Sequence, residues 1–250
     1  MNPAINRFLR YLEVERDVSA HTLKAYREDL ESLANYLSDD RGRPPSAASI
    51  SPLDLRQYVS DLHRAGYARS SISRRLGSLR SFFRFAQREG IVNSNPAKPL
   101  RNPRKQRKLP HFMTSEEVER LLLAPNSSDR MGARDLAILE TMYSTGVRVS
   151  ELVGMNIGDV ELEEAVARIR GKGKRERYAP LGSFAIGAIQ HWLEMRDEGE
   201  LDQQDPIFIN RLGSRLSTRS VGRMLEKYLA AAGLDRRTTP HTLRHSFATH

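Results

Sequence analysis

Residues 130–152, RMGARDLAILETMYSTGVRVSEL, decide how the C-terminal part of this chain folds. Apolar side chains recur at helical spacing from residue 136 to residue 143, which predicts a long helix over about residues 130–145. Gly146 can end that helix in the left-handed conformation. Arg148 follows closely, so backbone geometry holds it in place, and Glu151, three residues later, can orient it. Many helix junctions share this pattern, so the stretch alone does not define a function.

A glycine-rich turn lies downstream of this stretch, between two predicted short strands at residues 165–170 and 176–181. Glycines on both sides of Lys172 allow the tip of this hairpin to approach another backbone closely. Taken alone, an ordinary charged turn is the simpler interpretation. Helices are predicted near residues 184–196 and 218–232. Upstream, a capping box at Thr114 predicts the start of another helix.

The sequence His241-Thr242-Leu243-Arg244 predicts the start of a further helix and a candidate phosphate site. Three residues apart on a helix, His241 and Arg244 share a face. A guanidinium can grip two phosphate oxygens, and an imidazole can move a proton near neutral pH. His241, His245 and His250 could instead bind zinc, but no HExxH pattern and no cysteine support a metal site. Structural histidines at a helix start are the other alternative.

The first 92 residues predict a bundle of four helices. Ser51 followed by Pro52 is typical of a helix start. The fourth helix has an apolar stripe through residues 72–86. On an adjoining face, three arginines follow at i, i+4 and i+8: Arg80, Arg84 and Arg88. This helix can therefore pack with one side and present guanidinium groups with the other.

The positive charge is concentrated in this first part of the chain. The 250 residues have a net charge of +9 and a pI near 10.0, which indicates a polyanionic partner but is weak support alone. Residues 1–108 hold 21 Lys and Arg against 11 Asp and Glu, whereas residues 109–250 hold 19 against 20. Residues 69–108 contain 12 basic residues and one acid, which favours double-stranded DNA over a merely solvated helix face or basic linker.

A proline-rich, basic segment at residues 93–110 has little that could fill a core. We therefore predict three parts: a helical DNA-binding domain at 1–92, an extended linker at 93–110 and a second domain at 111–250. A plain tether is the alternative interpretation of the linker. The predicted DNA contacts are Arg74, Arg80, Arg84, Arg88, Arg104, Lys105, Arg107 and Lys108.

Composition excludes several other classes of protein. The chain has no cysteine, so it has neither a disulfide framework nor a thiolate metal site. No apolar run approaches the roughly 20 residues that a membrane span needs, and the N-terminus lacks a signal-peptide core. These features predict a soluble, cytoplasmic protein.

No tyrosine of the second domain stands out as a nucleophile. Tyr143 fits the apolar stripe of its helix, Tyr178 lies in a predicted strand, and Tyr228 is near the end of an amphipathic helix. We predict that all three are packing residues.

Three blocks in this order carry a family resemblance: TGVRVSEL at 145–152, GKGKRERYAPLG at 171–182 and PHTLRHSFATH at 240–250. Behind a basic four-helix domain, they resemble the tyrosine recombinases, specifically their bacterial Xer branch. The resemblance runs from about residue 3 to the last residue. It implies a mainly α fold with a small β-hairpin or sheet. The N-terminal domain would be a SAM-like core-binding domain, followed by a mixed α/β catalytic domain.

The resemblance also implies roles for individual residues. Arg148 and Arg244 would clamp the scissile phosphate, with Glu151 as a supporting acid. His241 would assist proton transfer at the nucleophile, and Lys172 would protonate the leaving 5′ oxygen. In the family, a tyrosine forms a 3′-phosphotyrosyl link without metal or ATP, so the resemblance implies that no cofactor is needed. Tetramers of the family act on two DNA sites.

The family continues for about another 50 residues, which supply that tyrosine and a tail that docks on the neighbouring subunit. We therefore expect this chain to be truncated, as a fragment, and inactive in cleavage. Xer proteins resolve chromosome dimers before cell division, usually as a pair of related proteins. The alternatives are a cleavage-incompetent DNA-binding protein, or a phage or transposon integrase of the same fold.

Overall fold

The computed structural model describes residues 1–103, 112–171, 175–196, 199 and 201–247. Contacts between residues divide the chain into two units, Met1–Lys108 and Leu109–His250. The described part of each unit has its own hydrophobic core. In the parts of the chain that are described, no helix is long and apolar enough to cross a membrane.

The first unit is the predicted four-helix bundle. Its helices are α1 (Asn2–Val14), α2 (Ala20–Tyr36), α3 (Pro52–Arg64) and α4 (Arg69–Arg88). Ser51 caps α3 as predicted, because its hydroxyl accepts from the Asp54 backbone and the Asp54 carboxylate accepts from the Ser51 backbone. The expected four-helix domain is therefore confirmed.

Aromatic side chains of α1 and α4 form the centre of this bundle. The Phe8 ring meets the Phe82 ring edge to face with 5.7 Å between centroids, and it also contacts Phe85. Phe82 and Phe83 are both fully buried, so α4 buries a wider face than the single predicted stripe. Burial of rings this large contributes most of the packing energy of a small domain.

The segment after α4 is not the extended linker that its prolines suggested, at least as far as residue 103. Ala97 and Leu100 are buried in the core of the first unit. Arg80 donates to the Leu100 carbonyl at 2.6 Å and to the Asn102 side chain at 3.0 Å. The prediction of an extended linker is therefore wrong for residues 93–103, because the side chains of Ala97 and Leu100 are buried and Arg80 of α4 bonds to the segment.

The second unit surrounds a small sheet with helices. Its helices are α5 (Ser115–Leu122), α6 (Arg130–Thr145), α7 (Val149–Val153), α8 (Ser183–Met195), α9 (Thr218–Ala231) and α10 (Pro240–Phe247). Its strands are β1 (Val160–Glu161), β2 (Val166–Arg170) and β3 (Glu176–Pro180), antiparallel in the order β1-β2-β3. The mainly α fold with a small sheet is confirmed.

The core of this unit holds the helices against the sheet. Trp192 of α8 is fully buried, and its indole nitrogen donates to the Ile207 carbonyl at 2.8 Å. Gly146 ends α6 with φ +55°, as predicted. Ile169 of β2 is opposite Arg177 of β3. Together these elements place the start of α7, strand β3 and helix α10 around one carboxylate.

Candidate active site

The Glu151 carboxylate is the centre of an arginine cluster. Its side chain is only 6% exposed. Oε1 accepts from Nη1 of Arg148 at 2.8 Å. Oε2 accepts from the backbone N–H of Arg148 and from Nη2 of Arg177, both at 3.0 Å. Nη1 of Arg244 is 4.0 Å from Oε2. Three guanidinium groups thus share one carboxylate, and the cluster keeps an excess of positive charge.

Glu151 remains ionised because its partners outweigh its burial. Burial alone would raise the pKa of this carboxyl group. Hydrogen bonds from Arg177, from the Arg148 backbone and from the Arg148 side chain lower it more, so the pKa falls from 4.5 to about 2. At neutral pH the cluster therefore contains a fixed negative charge that orients the arginines.

Arg148 occupies the junction between α6 and α7. Gly146 turns the chain at the end of α6, and Val147 is fully buried beyond it. Arg148 then precedes α7, where its backbone N–H is capped by Glu151. The Arg148 side chain is 56% exposed, so its guanidinium is held by Glu151 but remains accessible to a ligand.

Helix α10 carries Arg244 to the same carboxylate, from nearly a hundred residues further along the chain. Thr239 and Thr242 cap the start of α10 by reciprocal hydrogen bonds at 3.1 and 3.2 Å. Leu243 is fully buried, and Ser246 accepts from the Met113 backbone at 2.8 Å. Nη1 of Arg244 is buried but has no hydrogen-bond partner among the described residues. An arginine donor in this state is suited to an anionic ligand.

His241 and Lys172 are the other two predicted catalytic residues. His241 is exposed one turn before Arg244 on α10, as the sequence predicted. Lys172 lies outside the described residues. Gly171, which precedes it, is close to the cluster: a Cβ atom added there would be 3.8 Å from Oε1 of Glu151. Gly171, directly after β2, therefore lies beside Glu151.

Arg177 belongs to this cluster, although it was not among the predicted site residues. One signal was present in the sequence. Side chains alternate along a strand, so Arg177 lies on the same face of β3 as Ala179, which is buried. An arginine on the core side of a strand requires a buried acceptor.

The tyrosines of the second unit differ in their environments. Tyr228 is buried and donates to Asp135 at 2.9 Å; burial and the Asp135 charge raise its pKa. Tyr143 packs against the core and is partly buried. Tyr178 is 66% exposed, so the prediction that it is a packing residue is wrong. It lies on the opposite face of β3 from Ala179, and its strand is covered on one side only.

The predicted DNA-contacting arginines of the first unit differ in whether their guanidinium groups are already bonded within the protein. Arg74 pairs with the buried Asp29, and Arg80 is bonded to the segment after α4. Arg88 lies over the Tyr11 ring at 4.4 Å and bonds to Glu89. Arg84 is exposed and has no ion pair or hydrogen bond to another described residue. The remaining predicted contacts, Arg104, Lys105, Arg107 and Lys108, lie outside the described residues.

Arg84 lines a basic hollow of about 300 Å³ between α1, α2 and α4. The hollow is also lined by Arg16, Arg88 and the rings of Tyr11 and Tyr26. No group of three metal-binding side chains occurs among the described residues.

Comparison with known proteins defines the class of this chain. The model of the phage integrase family matches residues 111–250, and that of the phage integrase N-terminal SAM-like domain matches residues 5–90. The tyrosine recombinase XerC of Pelotomaculum thermopropionicum is 38% identical over 255 residues, covering 98% of this chain and 83% of the relative.

Two solved structures show the same fold. The crystal structure of XerA recombinase is 27% identical with a TM-score of 0.52, and the match covers 99% of this chain and 83% of that one. The structure of a lambda integrase (75–356) dimer bound to a COC′ core site is 19% identical with a TM-score of 0.76, covering 100% and 88%. This chain belongs to the phage integrase family of DNA tyrosine recombinases. Its XerC relatives confirm the predicted resemblance to the Xer branch.

Proposed function

We propose that Arg148 and Arg244 clamp the scissile phosphate of a DNA recombination site. One observation carries this proposal: the two side chains reach a single buried carboxylate from distant parts of the chain, and Arg244 keeps a buried donor for which the described residues offer no acceptor. Two guanidinium forks stabilise the extra negative charge that develops on a phosphate under attack. Glu151 orients both of them.

Proton transfer is the proposed role of His241 and Lys172. A tyrosine oxygen attacks the phosphorus, a 3′-phosphotyrosyl bond forms, and the bond to the 5′ oxygen breaks. His241 assists removal of the tyrosine proton, and Lys172 gives a proton to the leaving 5′ oxygen. The exposed position of His241 and the closeness of Gly171 to Glu151 support these assignments.

The nucleophile is not Tyr143, Tyr178 or Tyr228 in this proposal. Tyr228 is bonded to Asp135, which opposes formation of its phenolate. Tyr143 packs against the core, and Tyr178 lies on the opposite face of β3 from Arg177 and so faces away from the arginine cluster. By themselves, these 250 residues therefore bind and position DNA without cutting it. This is also the behaviour of the second candidate function, a cleavage-incompetent DNA-binding protein.

Chromosome dimer resolution in the cytoplasm, by a homo- or hetero-tetramer on DNA, is the biological role that we propose. The XerC relative from Pelotomaculum favours this role over that of a phage or transposon integrase, since it is 38% identical and the lambda integrase is 19% identical. A lambda integrase tetramer bound to a Holliday junction shares the fold, which supports the tetramer.

Covalent trapping on nicked suicide duplexes tests this function. The 250-residue chain should bind the DNA and give no covalent adduct. A chimera that continues after His250 with the C-terminal segment of the Pelotomaculum relative should give an adduct. In that chimera, Arg148→Ala or Arg244→Ala should reduce cleavage by at least about a hundredfold while binding persists.

Arg120→Ala, which removes an exposed arginine from α5, is the matched control and should cleave normally. Normal cleavage by Arg148→Ala or Arg244→Ala would contradict the proposed site. An adduct formed by the 250-residue chain alone would show that one of its own tyrosines is the nucleophile.

A further inference from the structure

We infer that Arg177 is a positioning residue that keeps Arg244 free for the scissile phosphate. The inference deepens the proposed function, on which it rests. Arg177 is on β3, 40% exposed, and donates from Nη2 to Oε2 of Glu151 at 3.0 Å. Neither its strand nor its place in the sequence marks it as part of a phosphate site. Its importance follows from how many hydrogen bonds Glu151 can accept.

The acceptor capacity of Oε2 is filled by two donors. A carboxylate oxygen accepts about two hydrogen bonds through its lone pairs. Oε2 accepts from the Arg148 backbone N–H and from Arg177, both at 3.0 Å. Oε1 accepts from the Arg148 side chain. Nη1 of Arg244 is a further donor near Oε2, but at 4.0 Å it is too far away for a hydrogen bond.

Arg244 is therefore held near the carboxylate without being neutralised by it. Its Nη1 is buried and has no hydrogen-bond partner among the described residues. A buried, charged donor in this state is costly, and a phosphate oxygen would satisfy it. Without Arg177, a lone pair of Oε2 becomes vacant. Arg244 would then move about an ångström closer and form a direct ion pair with Glu151, at the expense of the phosphate.

Three variants of the full 250-residue chain separate positioning from simple charge. Arg177→Met removes the donors and the charge. Arg177→Lys keeps the charge and one donor for Oε2. Arg170→Met is the matched control: Arg170 is in the neighbouring strand, is 42% exposed and lines the same small cavity as Glu151. Its partner Asp159 retains Arg168, so the fold is not left with an unpaired carboxylate.

The first measurement is the dissociation constant for inorganic phosphate. Binding is followed through the side-chain NMR signal of Arg244, which is assigned by its loss in the Arg244→Lys variant. Arg177→Met should raise this constant by about tenfold, as expected for loss of a hydrogen bond to a charged group. Arg177→Lys and Arg170→Met should change it by less than about twofold. Equal losses in Arg177→Met and Arg170→Met would overturn the inference, because the effect would then be one of net charge. No loss in Arg177→Met would overturn it as well.

The second measurement is the position of Arg244 in the ligand-free Arg177→Met chain, by crystallography or by NMR. We expect a direct hydrogen bond between Nη1 and Oε2, and an unchanged separation would overturn the inference. This result does not depend on DNA. A chain that fails to bind DNA would contradict the proposed function, whereas an unmoved Arg244 would contradict only the role of Arg177. Melting temperatures of Arg177→Met and Arg170→Met show whether general loss of stability differs between them.

Discussion

Glu151 is a single residue that connects the stability of the second unit to its chemistry. At neutral pH, Glu151→Gln should lower the free energy of unfolding by about 2 kcal/mol, because hydrogen bonds to charged partners are lost and three arginines remain close together. The measurement is chemical denaturation of both proteins at several pH values. The buried position of the carboxylate makes this effect larger than that of an exposed ion pair.

The difference in the free energy of unfolding between the wild type and Glu151→Gln should depend on pH in one direction. The folded-state pKa of Glu151 is about 2, below the usual 4.5, so the unfolded chain binds the proton more readily. The stabilisation is complete above pH 4.5 and is lost as the pH falls toward 2. The difference between the wild type and Glu151→Gln should therefore shrink over this range. Glu119→Gln, which changes an exposed carboxylate on α5, should show no such trend.

At the residue scale, sequence reasoning predicted contacts that are local and missed one that is distant. Arg148 and Glu151 are three residues apart across a helix start, so their pairing could be predicted. Arg177 is 26 residues from Glu151 and reaches it only because the sheet packs beside α7. Its partner depends on how separate elements pack, and strand alternation alone predicts only that it faces inward.

At the scale of elements, α6 and α10 meet where α6 ends. A Cβ atom at Gly146 would be 2.5 Å from Cδ1 of Phe247, and Gly146 has φ +55°. Gly146→Ala should therefore destabilise the chain through both backbone strain and displacement of α10, by about 3 kcal/mol in all. Because α10 carries Arg244, phosphate binding should weaken too. Thermal or chemical unfolding of Gly146→Ala measures the loss of stability.

Two comparisons separate the backbone strain from the clash. Gly90→Ala also places an alanine at positive φ, +68°, but its Cβ meets no described atom within 4 Å, so it should cost only about 1 kcal/mol. In a Phe247→Ala background, Gly146→Ala should cost no more than Gly90→Ala. An undiminished cost there would mean that Phe247 is not the obstacle.

Helices with an apolar period and a recognisable end could be predicted from the sequence, whereas elements of only two to five residues could not. Helix α6 has the predicted bounds because periodic apolar residues precede a glycine that ends it. Helix α7 has five residues and β1 has two, which is too short for any periodicity to appear. Proline content predicts an extended chain at residues 93–103, but it does not show that the Leu100 side chain is buried and that its carbonyl accepts from Arg80 of α4.

At the scale of the whole molecule, the charge is distributed unevenly between the two units. Residues 1–108 carry 21 basic and 11 acidic residues, whereas the rest is nearly balanced. We propose that the first unit supplies most of the sequence-independent attraction to DNA, through counterion release. Many of its arginines are bonded internally, so the number of phosphate contacts is smaller than the number of basic residues.

Arg84 is the arginine of α4 that we expect to contact a DNA phosphate, because it is exposed, lines the basic hollow and has no described partner. The measurement is the affinity for a short duplex as a function of salt concentration. The wild-type affinity should fall steeply with salt, and Arg84→Gln should reduce the slope of log affinity against log salt by about 1. Arg80→Gln should leave the slope nearly unchanged, because Arg80 is bonded to Leu100 and Asn102.

Arg43→Gln is the matched control, because it removes one exposed positive charge that is bonded to Asp39 at 2.9 Å. It should leave the salt slope nearly as in the wild type, since a paired guanidinium releases few counterions from DNA. If Arg43→Gln and Arg84→Gln reduce the slope equally, DNA responds to net charge and the basic hollow has no special role. If affinity is independent of salt in every protein, phosphate contact is not what holds the chain to DNA.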